Sequence, residues 1–567
     1  DLATLELINE TLNQVLRLIE MIKKEVNFSA SRNLVFANYY YLYEKSISNK
    51  LNIFSTLSNN IYLKEAFEIV ERNKNINILE ALRTGKATQF AGIPENLLQK
   101  EIQLREAITE AREERFEVGE DTDENQESLT SSLDSEIFDL QQSYDRLIDL
   151  FEKEYPNYYQ LKYANRQIDV PTIQETLLTE QQTLLEYFAG DNSIYCFLIR
   201  RDTLIVKEIQ NAKVIYDQII QLRDLIDHRP FPSYEEYGGD EVLVNISHHL
   251  YRELLLPLAD ELSSELIIIP DGKLAYIPFE ALLTSLPEEA HRYRSHPYLI
   301  RQHQVSYGTS ATLLNELRVT PKQTGAKQLL AVAPAFTSEE VDELAVRSEQ
   351  LGPLKFNIPE AQQICEITDG DLLAGQSATA NAFQEQANNF RLLHLATHAK
   401  ANDKRGDYSF LAFAGEEATE RLYASDIYNL ELSADMVVLS ACETGVGELI
   451  RGEGFISLAR AFTYAGARSL VHSLWRVNDN TTSELMFTFY ENLKLGQTKS
   501  RALHQAKLDY LSQQKDRAAH PFYWAAFVLY GNMEAVEWSS ESSFFYPWGI
   551  LVLVGVLLGF LGLRKSY

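Results

Sequence analysis

This sequence has few cysteines and far fewer basic than acidic residues. Only three of its 567 residues are cysteines, Cys196, Cys365 and Cys442, and no two of them form a CxxC pair. This spacing suggests neither a disulfide framework nor a cysteine-rich zinc site. The 52 lysines and arginines are outnumbered by 81 aspartates and glutamates, which gives a formal net charge of −29. Such an acidic chain is poorly suited to nucleic acid, and we predict no nucleic-acid partner.

Two motif-like stretches lack the residue that their chemistry needs. His394-Leu-Ala-Thr-His398 has the spacing of a helical zinc site, but it lacks the glutamate of HExxH and its neighbours favour a strand. Residues 447–453 have the spacing of a phosphate-binding loop, but Glu453 replaces the lysine and would repel phosphate. A GxSxG elbow for a serine hydrolase is also missing. We therefore predict neither a metal nor a cofactor.

The chain is too long for one hydrophobic core, and its pattern changes along its length. Residues 1–90 are predicted to be helical, because apolar residues recur at steps of three and four over residues 5–19. They suit either a remnant of tetratricopeptide-like repeats or a plain helical bundle, since no clean 34-residue period is visible. Residues 91–165 predict a long helical hairpin, with residues 117–127 as its acidic loop.

From residue 170 onwards the pattern is that of an α/β protein, which we place over residues 170–535 with its core at 250–532. Residues 194–199 and 203–206 flank a charged turn and predict a β-hairpin. Later apolar runs, such as residues 266–269, alternate with helical segments. This alternation predicts a mostly parallel sheet flanked by helices.

Two apolar runs in this region each end in a reactive side chain. Residues 392–398 end in His398, and residues 436–442 end in Cys442. In a parallel sheet, functional residues gather at the carboxyl ends of the strands, so adjacent strands would bring these two side chains together. A thiol becomes a good nucleophile as a thiolate, and a neighbouring imidazole favours that form. We therefore predict a catalytic dyad in which Cys442 is the nucleophile and His398 the general base.

The surroundings of the dyad follow from the same pattern. His394 lies inside the first apolar run, and we assign it to packing or to support of the dyad. We expect the oxyanion to be held by the backbone N–H of Cys442 and by one just after His398. A helix is predicted to start near Gly452.

These residues resemble the CHAT family, caspase-like peptidases associated with tetratricopeptide repeats. The resemblance covers roughly residues 170–532 and implies a caspase-like sheet, hydrolysis of peptide bonds, and a dyad at His398 and Cys442. It also implies upstream repeats that receive a regulatory protein partner, although this chain shows no clear repeat. The main matching elements are Pro270-Asp-Gly272, Ile277-Pro-Phe-Glu-Ala-Leu282, His394-Leu-Ala-Thr-His398, Leu439-Ser-Ala-Cys442-Glu-Thr-Gly445, Gly452-Glu-Gly454, Ser473-Leu-Trp475 and Trp524-Ala-Ala-Phe527.

The C-terminal residues 544–563 carry no charge and predict a single transmembrane helix. Twenty residues make about 30 Å of helix, which matches the bilayer core. Arg564 and Lys565 follow, and the positive-inside rule places this short tail in the cytoplasm. The catalytic domain would then be extracytoplasmic; the alternative is a cytoplasmic domain with a tail anchor. Gly555 and Gly559 form a GxxxG pair that would pack two anchors as a homodimer.

The sequence thus predicts a membrane-anchored, caspase-like cysteine endopeptidase that cleaves protein or peptide substrates and is regulated through its helical region. One alternative is a catalytically silent scaffold of the same fold that binds other proteins. A thiol enzyme of another kind, such as an acyltransferase, also fits the dyad alone.

Overall fold

The structure is a computed structural model, and it describes most of the chain. The described residues are 1–25, 29–72, 74, 79, 94–117, 124–155, 167–228, 239–319, 327–336, 354–402, 405–415, 419–441, 447–450, 454–477 and 479–538.

Helices dominate the first part of the chain, and strands alternate with helices in the rest. Among the described residues, the α-helices of five residues or more are α1 (Leu2–Glu25), α2 (Ser29–Leu57), α3 (Ile61–Glu71), α4 (Glu95–Glu117), α5 (Glu124–Glu154), α6 (Ala212–Asp227), α7 (Gly239–Leu254), α8 (Ala311–Val319), α9 (Asn357–Thr368), α10 (Ala380–Ala387), α11 (Ala424–Tyr428), α12 (Leu458–Tyr464), α13 (Asp479–Lys494) and α14 (Lys499–Gln513).

The strands are β1 (Gln182–Ala189), β2 (Ser193–Ile199), β3 (Leu204–Gln210), β4 (Glu265–Ile269), β5 (Gln304–Tyr307), β6 (Lys327–Pro334), β7 (Asp371–Gly375), β8 (Phe390–Leu395), β9 (Ala399–Lys400), β10 (Phe410–Phe413), β11 (Glu420–Tyr423), β12 (Met436–Leu439), β13 (Glu448–Ile450), β14 (Gly454–Ile456), β15 (Ser469–Ser473) and β16 (Phe527–Gly531).

One large sheet organises the molecule. Its eleven strands follow the order β3-β2-β1-β4-β5-β16-β15-β12-β8-β6-β7. Strands β1, β4, β5 and β16 are parallel, and so are β15, β12, β8, β6 and β7. The two halves run in opposite directions, because β15 and β16 pair antiparallel. The prediction of a mostly parallel sheet with helices after a helical region is confirmed, and so is the antiparallel hairpin of β2 and β3.

Alternate residues of each strand face opposite layers of helices. In β8, Leu392 belongs to the core beneath α9 and α13, which includes Ile364 and Phe489. Its neighbour Leu393 belongs to the core on the other face, beneath α10 and α12. This two-residue period is why the strands read as continuous apolar runs, since both faces are covered.

The helix predicted near Gly452 begins later than expected. Residues 454–456 form β14, which pairs with β13, and α12 begins at Leu458. The side chain of Ser457 accepts a hydrogen bond from the backbone N–H of Arg460 at 3.3 Å. This polar cap sets the start of the helix, whereas a glycine such as Gly454 is unfavourable inside a helix.

The N-terminal helices pack directly on the sheet. The Tyr40 ring stacks on Phe188 of β1 with centroids 4.8 Å apart, and Phe67 meets Phe197 of β2 edge-on at 5.8 Å. Apolar residues of α1, α2 and α3 share one core with strands β1, β2 and β4. The helical region is therefore built onto one half of the sheet through a continuous apolar interface.

Buried carboxylates fix this interface. Glu44 of α2 accepts hydrogen bonds from three successive backbone N–H groups of the β1–β2 turn, at residues 191–193, over 2.9–3.0 Å. Glu71 of α3 accepts the backbone N–H groups of Ala311 and Thr312, at 2.9 and 2.8 Å, where α8 starts. Each carboxylate thus satisfies donors that no neighbouring strand or helical turn would satisfy.

The predicted helical hairpin is formed by α4 and α5. Arg115 Nε lies 3.0 Å from Asp134 Oδ1, and Tyr144 OH lies 3.5 Å from Glu101 Oε1, so the two helices run antiparallel. The middle of the predicted acidic loop, residues 118–123, falls outside the described residues.

In the described part of the chain, no helix is long and apolar enough to cross a bilayer. The predicted transmembrane helix at residues 544–563, with its Gly555 and Gly559, lies outside that part.

We predict that Glu71→Ala lowers the free energy of unfolding by roughly 3 kcal/mol, because two buried backbone N–H groups lose their acceptor. The matched control is Glu68→Ala in the same helix. The Glu68 side chain is 42% exposed and lies 3.4 Å from Arg72 Nη2, so its loss should cost at most about 0.5 kcal/mol. Denaturant unfolding of both variants measures the difference, and equal losses would contradict the anchoring role of Glu71.

Candidate active site

His398 stands just beyond the carboxyl end of β8. The backbone N–H of Ala396 still donates to Val332 of β6 at 2.9 Å, which continues the sheet for one residue past the strand. The carbonyl oxygen of His398 then accepts the N–H of Ala412 in β10 at 2.9 Å. The hydroxyl of Thr397 donates to the carbonyl of Ala412 at 2.5 Å. These bonds fix the backbone on both sides of the imidazole.

The imidazole of His398 is buried and neutral. Only 4% of the residue is exposed, and neither ring nitrogen has a hydrogen-bond partner among the described residues. The ring packs against Phe336, with centroids 5.1 Å apart. Burial lowers the pKa of His398 from 6.5 to about 4, because an apolar environment disfavours the imidazolium. At pH 7 the imidazole therefore carries one proton, and its other nitrogen can accept a second.

The strand that leads to Cys442 lies directly beside β8. Strands β8 and β12 are parallel, and their last aligned pair is Leu395 with Leu439. His398 and Cys442 each follow three residues after this pair. Cys442 itself lies outside the described residues, so the predicted dyad stays a prediction.

A buried polar network lies beneath the ends of these strands. His394 Nε2 lies 2.9 Å from Glu360 Oε1 of α9, and the same oxygen accepts the hydroxyl of Ser440 at 2.5 Å. Tyr490 OH of α13 lies 3.3 Å from His394 Nδ1. His394 is fully buried, as expected for the packing or supporting role assigned to it. Because the carboxylate of Glu360 can only accept, Nε2 of His394 carries a proton.

The strand on the other side of β12 also contributes a polar contact. Ser473, the last residue of β15, donates its hydroxyl to the carbonyl oxygen of Ala441 at 2.6 Å. Ala441 therefore has its backbone tied to β15, while Ser440 before it is tied to α9. The chain is held from both sides immediately before Cys442.

The other two cysteines have surroundings that suppress reactivity. Cys196 in β2 is fully buried, and burial raises the pKa of its thiol to about 12. Burial also raises the pKa of Cys365 in α9 to about 11. Both thiols stay protonated at neutral pH, which makes them poor nucleophiles.

Glu360 and Ser440 were not singled out from the sequence. Glu360 lies in α9, 34 residues before His394, and no spacing rule links the two. Ser440 does stand in the stretch that resembles the CHAT family, which was the one available signal. For the described residues, no group of three or more histidine, cysteine, aspartate or glutamate side chains is placed to hold a metal ion.

Comparison with known proteins gives one family match and two curated relatives. The model of the CHAT domain matches residues 244–532. Tetratricopeptide repeat protein 28 of Mus musculus is 24% identical over 316 residues, and that of Homo sapiens is 25% identical over 316 residues. Each alignment covers 49% of this chain and only 12% of the relative.

Among the solved structures that are similar, two illustrate the low sequence identity. The Arg specific cysteine proteinase gingipain R is 10% identical, with a TM-score of 0.34 over 52% of this chain and 68% of that chain. A Saccharomyces cerevisiae separase–securin complex is 10% identical, with a TM-score of 0.39 over 92% of this chain and 48% of that chain. At these TM-scores neither likeness bears on the chemistry of this chain.

The buried histidine makes stability depend on pH. The pKa of His398 is about 4 when folded and 6.5 as the ordinary value, so the unfolded chain takes up the proton first as the pH falls. The stabilisation that comes from neutral His398 is fully present above pH 6.5, and it is lost as the pH falls from 6.5 to 4. We predict that His398→Gln removes roughly 3 kcal/mol from the pH dependence of unfolding over this window.

The control for this experiment is His291→Gln, because the His291 side chain is 65% exposed and keeps its water on folding. Denaturant unfolding at pH 7, 6, 5 and 4 gives the slope of the unfolding free energy against pH for each protein. An unchanged slope in His398→Gln would show that the ring is not buried as a neutral group.

Proposed function

Because the chain belongs to the CHAT domain family, we propose that it is a caspase-like cysteine endopeptidase whose dyad is His398 and Cys442. The observation that carries this proposal is the parallel register of β8 and β12. Both candidate residues follow three positions after the pair Leu395 and Leu439, at the same edge of the sheet. Functional residues collect at this edge in parallel sheets.

His398 has a ring nitrogen available to accept the thiol proton. Its imidazole is neutral at pH 7, and its ring nitrogens are not engaged by other described residues. In the proposed reaction, His398 takes the thiol proton while the sulfur of Cys442 attacks the carbonyl carbon of the peptide bond. The imidazolium then gives that proton to the leaving amine as the C–N bond breaks.

The second half of the reaction returns the enzyme to its starting state. Water attacks the thioester carbonyl and gives a proton to His398, the C–S bond breaks, and Cys442 recovers its proton from the imidazolium. The negative oxygen of each tetrahedral intermediate needs hydrogen-bond donors. We assign these to backbone N–H groups of Cys442 and of the residue after His398.

The competing proposal is a silent scaffold that has the fold but no activity. A scaffold does not need a neutral histidine beside the strand that leads to a cysteine. It also does not need strand ends tied by three buried hydroxyl or carboxylate contacts. These features favour the peptidase.

Regulation through the helical hairpin fits one contact between α4 and the catalytic half. The hydroxyl of Tyr408 donates to the backbone carbonyl of Arg112 at 2.5 Å. Tyr408 ends the short helical turn between β9 and β10, and β9 starts directly after His398. We propose that a protein partner bound to the hairpin acts on the site through this segment.

The proposed location is a membrane, with residues 544–563 as a single C-terminal anchor and the catalytic domain extracytoplasmic. The basis is the uncharged length of this segment and the Arg564-Lys565 pair behind it. A second copy would pack through Gly555 and Gly559.

We predict that Cys442→Ala and His398→Ala each abolish cleavage of a peptide library, because nucleophile and base act as a unit. Cys365→Ala is the matched control, since this thiol is kept protonated and should not contribute. Cleavage is measured by mass spectrometry of the library, with melting temperatures to establish folding. Retained turnover in the folded Cys442→Ala variant would refute the dyad.

We predict that the full chain stays in the membrane fraction after alkaline carbonate extraction, whereas a chain that ends at residue 538 is released. The reason is that an uncharged, largely apolar segment of this length matches the thickness of the bilayer core. Release of both forms would exclude the anchor.

A further inference from the structure

One helix, α9, contacts the ends of three neighbouring strands. Its first residue, Asn357, donates from Nδ2 to the carbonyl of Pro334 in β6 at 2.8 Å and to that of Ala396 at 3.3 Å. One helical turn later, Glu360 Oε1 accepts from His394 of β8 and from Ser440 after β12. A single turn of helix therefore fixes β6, β8 and β12 relative to each other.

The contacts of α9 fall at equivalent positions of the chain after β8 and after β12. Ala396 stands two residues before His398, and Ser440 stands two residues before Cys442. In the parallel register of β8 and β12, Ala396 and Ser440 also occupy equivalent positions after the last aligned pair. The helix thus holds both strands at the point where each gives way to its candidate catalytic residue.

The burial of the network makes its hydrogen bonds strong and costly to break. Glu360 is 4% exposed, His394 0% and Ser440 8%. Hydrogen bonds to a carboxylate are about twice as strong as neutral ones, and water is not available here to replace them. The groups that face Glu360 are His394 from β8 and Ser440 from β12, with Tyr490 of α13 behind His394.

We infer that Glu360 is a positioning residue that, through Ser440 and His394, sets Cys442 relative to His398. This inference rests on the proposed peptidase dyad. Glu360 does not take part in the bond changes. It acts by fixing the backbone of residue 440, so that the thiol two residues later meets the imidazole at the distance that proton transfer needs.

A purely structural role and a positioning role make different predictions. If Glu360 only stabilises the fold, its removal lowers the melting temperature and leaves the thiol chemistry of the folded protein unchanged. If it positions Cys442, its removal slows the reaction of Cys442 in protein that is still folded. It also moves the pH midpoint of that reaction, because the imidazole no longer accepts the proton from the thiol.

The experiment measures the second-order rate of Cys442 alkylation by iodoacetamide from pH 5 to 9, with the modified site read by peptide mass spectrometry. The variants are Glu360→Ala and Ser440→Ala, each checked by its melting temperature. We expect a loss of roughly 10- to 100-fold in the rate at pH 7, as for small misplacements of catalytic groups. Ser440→Ala removes one hydroxyl and leaves the Glu360–His394 pair in place, so it decides the matter if Glu360→Ala fails to fold.

Two controls complete the design. Glu366→Ala removes an exposed carboxylate from the same helix and should leave rate and midpoint unchanged. Ser440→Thr keeps the hydroxyl and should restore most of the rate. Wild-type rates and midpoints in folded Ser440→Ala would overturn the positioning role. If instead Cys442 reacts equally fast in the wild-type protein and in His398→Ala, the proposed dyad itself fails.

Discussion

The parallel pairing of β8 with β12 is the constraint on which the site depends. Parallel strands end at the same edge of a sheet, so one register fixes where both chains leave it. Four successive pairs, from Leu392 with Met436 to Leu395 with Leu439, fix the register of the two strands to the residue. A slip by a single position would turn each apolar side chain to the opposite face and would separate the two candidate residues.

Buried polar contacts hold this register, and others hold the larger assembly. Glu360 ties α9 to β8 and to the residue after β12, and Ser473 ties β15 to Ala441. At the far half of the sheet, Glu44 and Glu71 of the N-terminal helices accept backbone N–H groups of the β1–β2 turn and of α8. Apolar packing supplies most of the stability of such a protein, while these directional contacts select one arrangement among many that would bury similar area.

The sequence predicted best those elements in which apolar residues follow a regular pattern over a short stretch of chain. Two covered faces make continuous apolar runs, so β4, β8 and β12 were visible, and steps of three and four residues over residues 5–19 revealed the helical start of the chain. The sequence did not indicate that the two halves of the sheet run in opposite directions. These directions depend on β16 inserting between β5 and β15, and Tyr530 of β16 pairs there with Tyr307 of β5, more than 200 residues earlier in the chain.

The candidate site was predictable in part for the same reason. His398 could be placed at a strand end because the apolar run before it is local. The pairing of Glu360 with His394 and Ser440 could not, since it requires the packing angle of α9 on the sheet. The start of α12 was misplaced because glycines mark loops as readily as helix starts, whereas Ser457 supplies the actual cap.

We propose that this fold makes one thiol of three a nucleophile. The most direct test treats the folded chain at pH 7 with a substoichiometric amount of a peptidyl chloromethyl ketone and measures the occupancy of each cysteine by mass spectrometry. Cys196 and Cys365 serve as internal controls, because burial raises the pKa of both thiols. We expect modification of Cys442 alone. Modification of Cys365 to the same extent, or of none of the three, would contradict it.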